Sequence, residues 1–249
     1  MKTVLITGAT SGLGLMLSRY FNNKNFELIL TGRDKKKINL LKKELLEKNK
    51  PNCFAKDFSK KKDFDSFLKL LGKQKKIDVV IHCLGGGFGM HNPIIDNKDL
   101  NFLFNINVFT ALSINKVILD KKIYSRSLRI IHIGSVASVE STASVGYSMV
   151  KASLIAYTKN LAKVLINKNI FIHCLLLGAF EYENNAFERL KKRNKKIYEQ
   201  FIKKKLPMKK IANAENFLGL FKLLISSDGD SLSGSSIVAD YSETNSYRI

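Results

Sequence analysis

Thr7-Gly8-Ala9-Thr10-Ser11-Gly12-Leu13-Gly14 stands between the apolar run Val4–Thr7 and a segment in which Leu13, Leu17, Tyr20 and Phe21 recur at helical spacing. The run has the length of a buried strand and the segment the period of an amphipathic helix. Glycines at that junction allow a tight turn and a close approach of backbone to ligand. The exposed N–H groups and positive dipole end of the helix favour an anion there. Strand, glycine turn and helix in that order predict a crevice that takes a pyrophosphate.

The same alternation runs to the other end of the chain. Glu27–Thr31, Asn52–Ala55, Asp78–Cys83, Leu128–Gly134, Ile170–Leu176 and Ser236–Ala239 are short apolar runs, several without in/out alternation, as strands covered on both faces should be. Between them Ile38, Leu41 and Leu45, and later Val150, Leu154, Tyr157, Leu161 and Leu165, keep helical spacing. Serial βα units close into an α/β fold: a doubly wound parallel sheet with helices on both faces and the ligand at the carboxyl ends of the strands. With no internal repeat or Pro/Gly-rich linker, residues 1–249 are expected to form one domain. The basic helical segment Glu181–Met208 after the sixth strand is expected to act as a lid.

Composition narrows the classes. With 45% hydrophobic and 25% charged residues the chain can bury a core, which excludes disorder. Lys, Asn or Asp interrupts the apolar runs before the roughly 18 residues of a membrane span, and the apolar stretch after Met1 is too short for a secretion signal. A cytoplasmic protein without a membrane partner is expected. The 42 Lys and Arg against 21 Asp and Glu leave a charge of +21, spread in short runs such as Lys35–Lys37, Lys60–Lys62 and Lys203–Lys205. That spread reads as solvated helix faces, so nucleic acid is not an expected partner. Cys53, Cys83 and Cys174 lie far apart in apolar segments and read as buried reduced thiols. His82, His91, His132 and His173 lack metal-ligand spacing, and no metal is expected.

The second strand ends in Thr31-Gly32-Arg33-Asp34, about where an acidic residue would hold the ribose of NAD. Arg33 could bind a 2′-phosphate bidentately, which favours NADP(H) over NAD(H). Asp34 competes as a ribose ligand, although its ordinary role is the N-cap of the helix beginning at Lys35. Further on, Tyr147 and Lys151 sit four apart at the start of a well-patterned helix, after a strand that ends at Gly134-Ser135. An adjacent ammonium favours the ionised form of a phenol, which makes Tyr147 a usable acid/base.

Together these features resemble the short-chain dehydrogenase/reductase family, a single-domain Rossmann-fold type, over nearly the whole chain. That family carries TGxxxGxG, matched by Gly8, Gly12 and Gly14, and YxxxK, matched by Tyr147 and Lys151. Its serine and asparagine positions fall on Ser135 and Asn107. The resemblance implies a catalytic set of Asn107, Ser135, Tyr147 and Lys151. Ser135 would polarise a substrate carbonyl, Lys151 would also orient the nicotinamide ribose, and Asn107 would hold a water linking Lys151 to solvent. It further implies cofactor contacts from Gly8, Thr10, Ser11, Gly12, Leu13, Gly14, Arg33, Asp57, Phe58, Gly85, Tyr147, Lys151 and Gly178, and a helix-paired homodimer or homotetramer.

The sequence departs from the family pattern at several points. Asn-Asn-Ala-Gly reads His82-Cys83-Leu84-Gly85, so support of the central sheet must be rebuilt, with His82 as the candidate. Pro-Gly reads Leu177-Gly178, the downstream threonine is Tyr182, and the terminal Asp-Gly-Gly reads Asp240-Tyr241-Ser242. The Ser135–Tyr147 interval of twelve is one short of the commonest spacing. The expected activity is NADP(H)-dependent interconversion of a carbonyl and a secondary alcohol. The small-molecule substrate would be an anion if the basic lid attracts it. A 3-oxoacyl-carrier-protein reductase and a polysaccharide-precursor reductase are alternatives within this class. A silent nucleotide-binding interaction protein is the alternative outside it.

Overall fold

The computed structural model describes residues 1–46, 50–74 and 76–246. The chain runs β1 (Thr3–Thr7), α1 (Gly12–Asn23), β2 (Glu27–Gly32), α2 (Lys35–Leu45), β3 (Asn52–Ala55), α3 (Lys61–Leu71), β4 (Ile77–His82), α4 (Asn97–Phe104) and, through a π-helical turn Asn105–Phe109, α5 (Thr110–Asp120). It continues with β5 (Tyr124–Ile133), α6 (Val145–Leu165), β6 (Ile170–Leu177), β7 (Phe180–Glu181), α7 (Ala186–Arg193), α8 (Lys195–Lys205), β8 (Ala212–Asn213), α9 (Leu218–Leu224) and β9 (Ser236–Ala239). Seven strands form one parallel sheet in the order β3-β2-β1-β4-β5-β6-β9, and β7 pairs with β8 apart from it. The chain winds outward from β1 to β3 and then returns to the other side of β1 at β4. That reversal opens a crevice at the carboxyl ends of β1 and β4.

The continuous apolar runs divide between two cores by the strand period of two. Val4 and Ile6 pack with Leu17, Phe21 and Phe221, whereas Leu5 faces the other way with Ile29, Val80, Phe67, Ile114 and Ile118. Both faces of the sheet are covered, as the missing alternation requires.

Some boundaries move for identifiable reasons. β5 begins at Tyr124 rather than Leu128 and its register slips, with Ile77 opposite Tyr124 but Val79 opposite Arg129. The polar Ser125-Arg126-Ser127 hides this start: Asp78 accepts hydrogen bonds from Ser125 Oγ and from Thr3 N. The lid segment is two helices broken at Asn194, whose side chain caps α8 through Ile197 N at 3.1 Å. The stretch Asn97–Asp120 is, by length and composition, apolar enough to cross a membrane, although Lys98, Asp99, Asn105, Asn107, Asn115 and Lys116 interrupt it. Its Leu103, Ile106, Ile114 and Ile118 are buried in the fold, as in a core helix.

His82 does rebuild the sheet support. It stacks on His132 of the neighbouring strand, with ring centroids 4.9 Å apart and planes 12° apart. Its Nε2 lies 2.8 Å from Asn115 Oδ1, and Asn115 Nδ2 donates to Tyr157 Oη at 3.2 Å. β4, β5, α5 and α6 are thereby joined behind the crevice. Burial pushes His82 down to about 4 from an ordinary 6.5, and it pushes His132 down as well. The unfolded chain therefore takes up these protons near pH 6.5 while the folded chain refuses them, so stability is full above that value and falls as pH drops toward 4. For His82 alone the loss is about 3 kcal/mol. His82→Asn should flatten the dependence of the melting temperature on pH between about 7 and 4; an unchanged slope would remove His82 from this account.

Candidate active site

The glycine turn closes on itself. Gly8 and Gly12 have φ of +69° and +52°, and a Cβ on Gly14 would lie 2.4 Å from the Gly8 carbonyl oxygen. Ala9 N donates to Thr31 O at 2.8 Å, and a Cβ on Gly32 would lie 2.6 Å from Thr10 Cγ2, so the end of β2 is drawn against the turn. Ser11 precedes α1 in extended conformation and its side chain caps none of the first-turn N–H groups. A cradle that side chains would fill, next to helix donors that no side chain caps, fits the pyrophosphate of a dinucleotide.

The rest of the predicted cofactor set divides by what each side chain touches. Arg33 is exposed at the end of β2. Asp34 caps α2 through Lys36 N and Lys37 N at 2.8 and 3.1 Å, and the Lys37 bond, followed by the Lys36 bond, holds its carboxyl below the usual range despite slight desolvation. Asp57 accepts from Ser59 N and Oγ at 3.1 and 2.7 Å. The Phe58 ring is buried against Phe64 and Phe67, and Leu13 is buried in the opposite core, so both present only backbone to a ligand.

Tyr147 and Lys151 occupy the first two turns of α6. Lys151 is only 4% exposed; its Nζ donates to the Ile133 carbonyl at 2.7 Å and lies 5.7 Å from the Tyr147 ring centre. A Cβ on Gly85 would lie 2.5 Å from Asn107 Oδ1 and 3.3 Å from Lys151 Nζ, so these three residues meet at one point. Gly87 runs beside the Tyr147 ring. Asn107 lies in the π-helical turn and is buried, not on a helix surface. Its Oδ1 accepts from Gly86 N at 2.9 Å, and its Nδ2 donates to Gly86 O and Leu103 O, both at 3.0 Å. The amide holds the Gly85–Gly86 backbone in place. Ser135 Oγ accepts from Ala137 N at 3.2 Å, which leaves its hydroxyl hydrogen free for a substrate oxygen. Of the three cysteines expected to be buried only Cys174 is so, and Cys53 and Cys83 are half-buried; desolvation nevertheless raises all three thiols, Cys83 to about 12 and Cys53 and Cys174 to about 11.

Two features of the mouth had no signal in the sequence. A Cβ on Gly178 would lie 2.7 Å from Glu243 Oε2, which itself accepts from Ala179 N at 2.6 Å. Burial, with Asp240 and Glu140 nearby, raises the Glu243 carboxyl. Asn245 then donates to Glu140 in the loop between Ser135 and Tyr147. The C-terminal segment thus ties the turn after β6 to the loop after β5. Tyr182, at the family's threonine position, turns its hydroxyl to Arg19 Nη1 at 3.4 Å.

Residues 2–193 match the sequence model of the short chain dehydrogenase family. The chain belongs to the short-chain dehydrogenase/reductase family. It is 27% identical to a diacetyl reductase [(S)-acetoin forming] of Staphylococcus epidermidis, covering 96% of this chain and 97% of that one. It is also 27% identical to the 3-oxoacyl-[acyl-carrier-protein] reductase FabG of Buchnera aphidicola, covering 95% and 94%. The crystal structure of L-sorbose reductase from Gluconobacter frateurii, complexed with NADPH and L-sorbose, superposes with a TM-score of 0.85 at 20% identity, covering 98% and 97%. This short-chain dehydrogenase/reductase is therefore an oxidoreductase acting on carbonyl or alcohol groups, of a family that binds NAD(P). Gly14→Ala should weaken dinucleotide binding at least tenfold by fluorescence titration, because its Cβ would collide with backbone that cannot give way; affinity equal to wild type would show that the turn does not hold the ligand.

Proposed function

We propose that this chain, as one domain of 249 residues, reduces a ketone to a secondary alcohol with NADPH, with Tyr147 delivering the proton. The observation that carries the reading is the buried Lys151 amine, held by the Ile133 carbonyl one helical turn from Tyr147 and beside Gly85 at the crevice. The bound nicotinamide supplies the hydride. Ser135 donates its hydroxyl hydrogen to the substrate oxygen, where negative charge gathers as hydride arrives. The Tyr147 phenol gives its proton to that oxygen, and Lys151 steadies the phenolate left behind. Asn107, by fixing Gly86, keeps the opening beside Lys151 in shape.

Exposed Arg33 at the end of β2, with Asp34 committed to capping α2, supports NADPH over NADH. For substrate, segment 181–208 carries nine basic and four acidic residues, which supports a ketone with an anionic portion lying under the lid. A 3-oxoacyl thioester on a phosphate-bearing acyl carrier and a keto sugar linked to phosphate both have that form. Exposed Phe109, in the π-helical turn before α5, and Met149 on α6 support pairing of two copies through these helices.

The test is NADPH oxidation followed optically against small diketones, 3-oxoacyl thioesters and keto sugars. Tyr147→Phe should lower turnover by roughly 100-fold or more on whichever substrate wild type accepts, with NADPH binding retained. Equal turnover in the two proteins would overturn the assignment of Tyr147. Arg33→Ser should weaken NADPH binding by about tenfold and leave NADH binding nearly unaltered, as removal of a charge-assisted phosphate contact predicts; parallel changes in both would show that Arg33 does not read the 2′-phosphate.

A further inference from the structure

Arg19, on the second turn of α1, joins three elements that the catalytic chemistry does not explain. Its guanidinium forms a two-pronged pair with Glu44 at the end of α2, with Nε–Oε1 at 2.6 Å and Nη2–Oε2 at 3.1 Å. Nη1 reaches the other way, to Glu183 Oε1 at 2.6 Å and to the Tyr182 hydroxyl at 3.4 Å. Glu183 belongs to the strap Phe180–Asn185 that leads from the main sheet to the lid. The same residue's backbone carbonyl accepts a hydrogen bond from Gly12 N at 2.7 Å. A Cβ on Gly12 would lie 3.0 Å from Asn185 Cβ, so the strap is packed onto the glycine turn itself.

Beyond the strap the lid has a light attachment. α7 buries none of its residues and α8 buries only Tyr198. Its polar ties at this end lie within the lid and strap, among them Tyr198 Oη to Glu181 at 2.6 Å, Lys191 to Glu181 at 2.9 Å and Asn184 N to Glu188 at 2.6 Å. A unit with few buried apolar contacts opens at low free energy. The start of the strap is held by β7 pairing with β8 and by Phe180 against Phe217, so beyond Tyr182 its ties to the turn are those of Glu183 and the packing of Asn185 on Gly12.

We propose that Arg19 is a clasp that sets the residence time of the nicotinamide dinucleotide, by pinning the strap at Glu183 across the glycine turn through which the dinucleotide enters and leaves. It is a positioning residue: it acts on the strap, and its guanidinium is anchored to the fixed body of the protein through Glu44. The inference rests on the family reading that the glycine turn holds the dinucleotide. A glutamate two residues before the Asn185 cap and an arginine two turns into α1 can meet only because the strap returns over the glycine turn, so neighbouring positions in sequence do not show the pair.

The test uses the full chain and NADPH fluorescence in stopped flow, with hydrogen exchange of residues 180–193 as a second readout. Arg19→Met and Glu183→Gln should each raise the rate of NADPH release about twofold to fivefold, the range for a partly exposed ion pair. The double variant should add little to either, because both remove the same contact. Arg19→Lys, which keeps the charge and loses the fork, should fall between wild type and Arg19→Met. Amide exchange in the strap should speed up in step with release. Release rates and strap exchange at wild-type values in Glu183→Gln, which alters only an exposed carboxylate, would overturn the clasp even if Arg19→Met does not fold. Effects of the two substitutions that simply multiply would also overturn it. Absence of any NADPH or NADH signal in the unmodified protein would instead overturn the proposed function.

Discussion

A lysine nitrogen removed from water must be met by hydrogen-bond acceptors, and much of the site follows from how Lys151 meets that demand. Its partner is the Ile133 carbonyl at the end of β5, which draws the start of α6 down onto the carboxyl edge of the sheet. Tyr147 then stands one turn earlier, at the mouth of the crevice. The space in front of the amine is so narrow that position 85 must lack a side chain, and the Gly85–Gly86 backbone needs its own support. Asn107 provides it from a turn wound as a π-helix, a geometry that rotates its amide inward where an unbroken α-helix would place the side chain differently.

Altered motifs are compensated by contacts of another kind. An amide pair is missing after β4, and a stacked histidine pair bound to Asn115 takes over the tie between the central strands and α5. The replacement introduces ionisable rings into a core that must keep them neutral, so the same feature that supports the crevice also links its stability to acid. After β6 the turn contains Gly178 without a preceding proline, and the side-chain carboxylate of Glu243, near the end of the chain, fixes it from outside by accepting from Ala179 N. The mouth of the site is thus held by long-range polar contacts.

Those substitutions lie outside the helix that carries Tyr147 and Lys151. Of the four residues proposed to act, Tyr147 and Lys151 lie on α6, Asn107 in the π-helical turn, and Ser135 two residues past the end of β5, where it caps a short 3-10 turn. The strap, the lid and the C-terminal segment meet the rest of the protein through side-chain carboxylates, an arginine and single backbone bonds. Such parts can vary in charge and shape without disturbing the packed elements behind them.

Local patterns were enough for the sheet, its parallel winding, the glycine turn and the Tyr147–Lys151 pair, because a strand period, a helix period and a spacing of four are short-range geometry that residues write directly into their order. The same is true of Asp34 as a helix cap. Read alone, the sequence could not place the start of β5 behind polar Ser125–Ser127, the break at Asn194, the inward turn of Asn107, or the meeting of Glu183 with Gly12 and of Glu243 with Ala179. Each of these depends on where a distant segment lies once the sheet has formed. Contacts between residues 64 or 171 positions apart carry no periodic trace, since only chain closure in three dimensions selects which donor finds which acceptor.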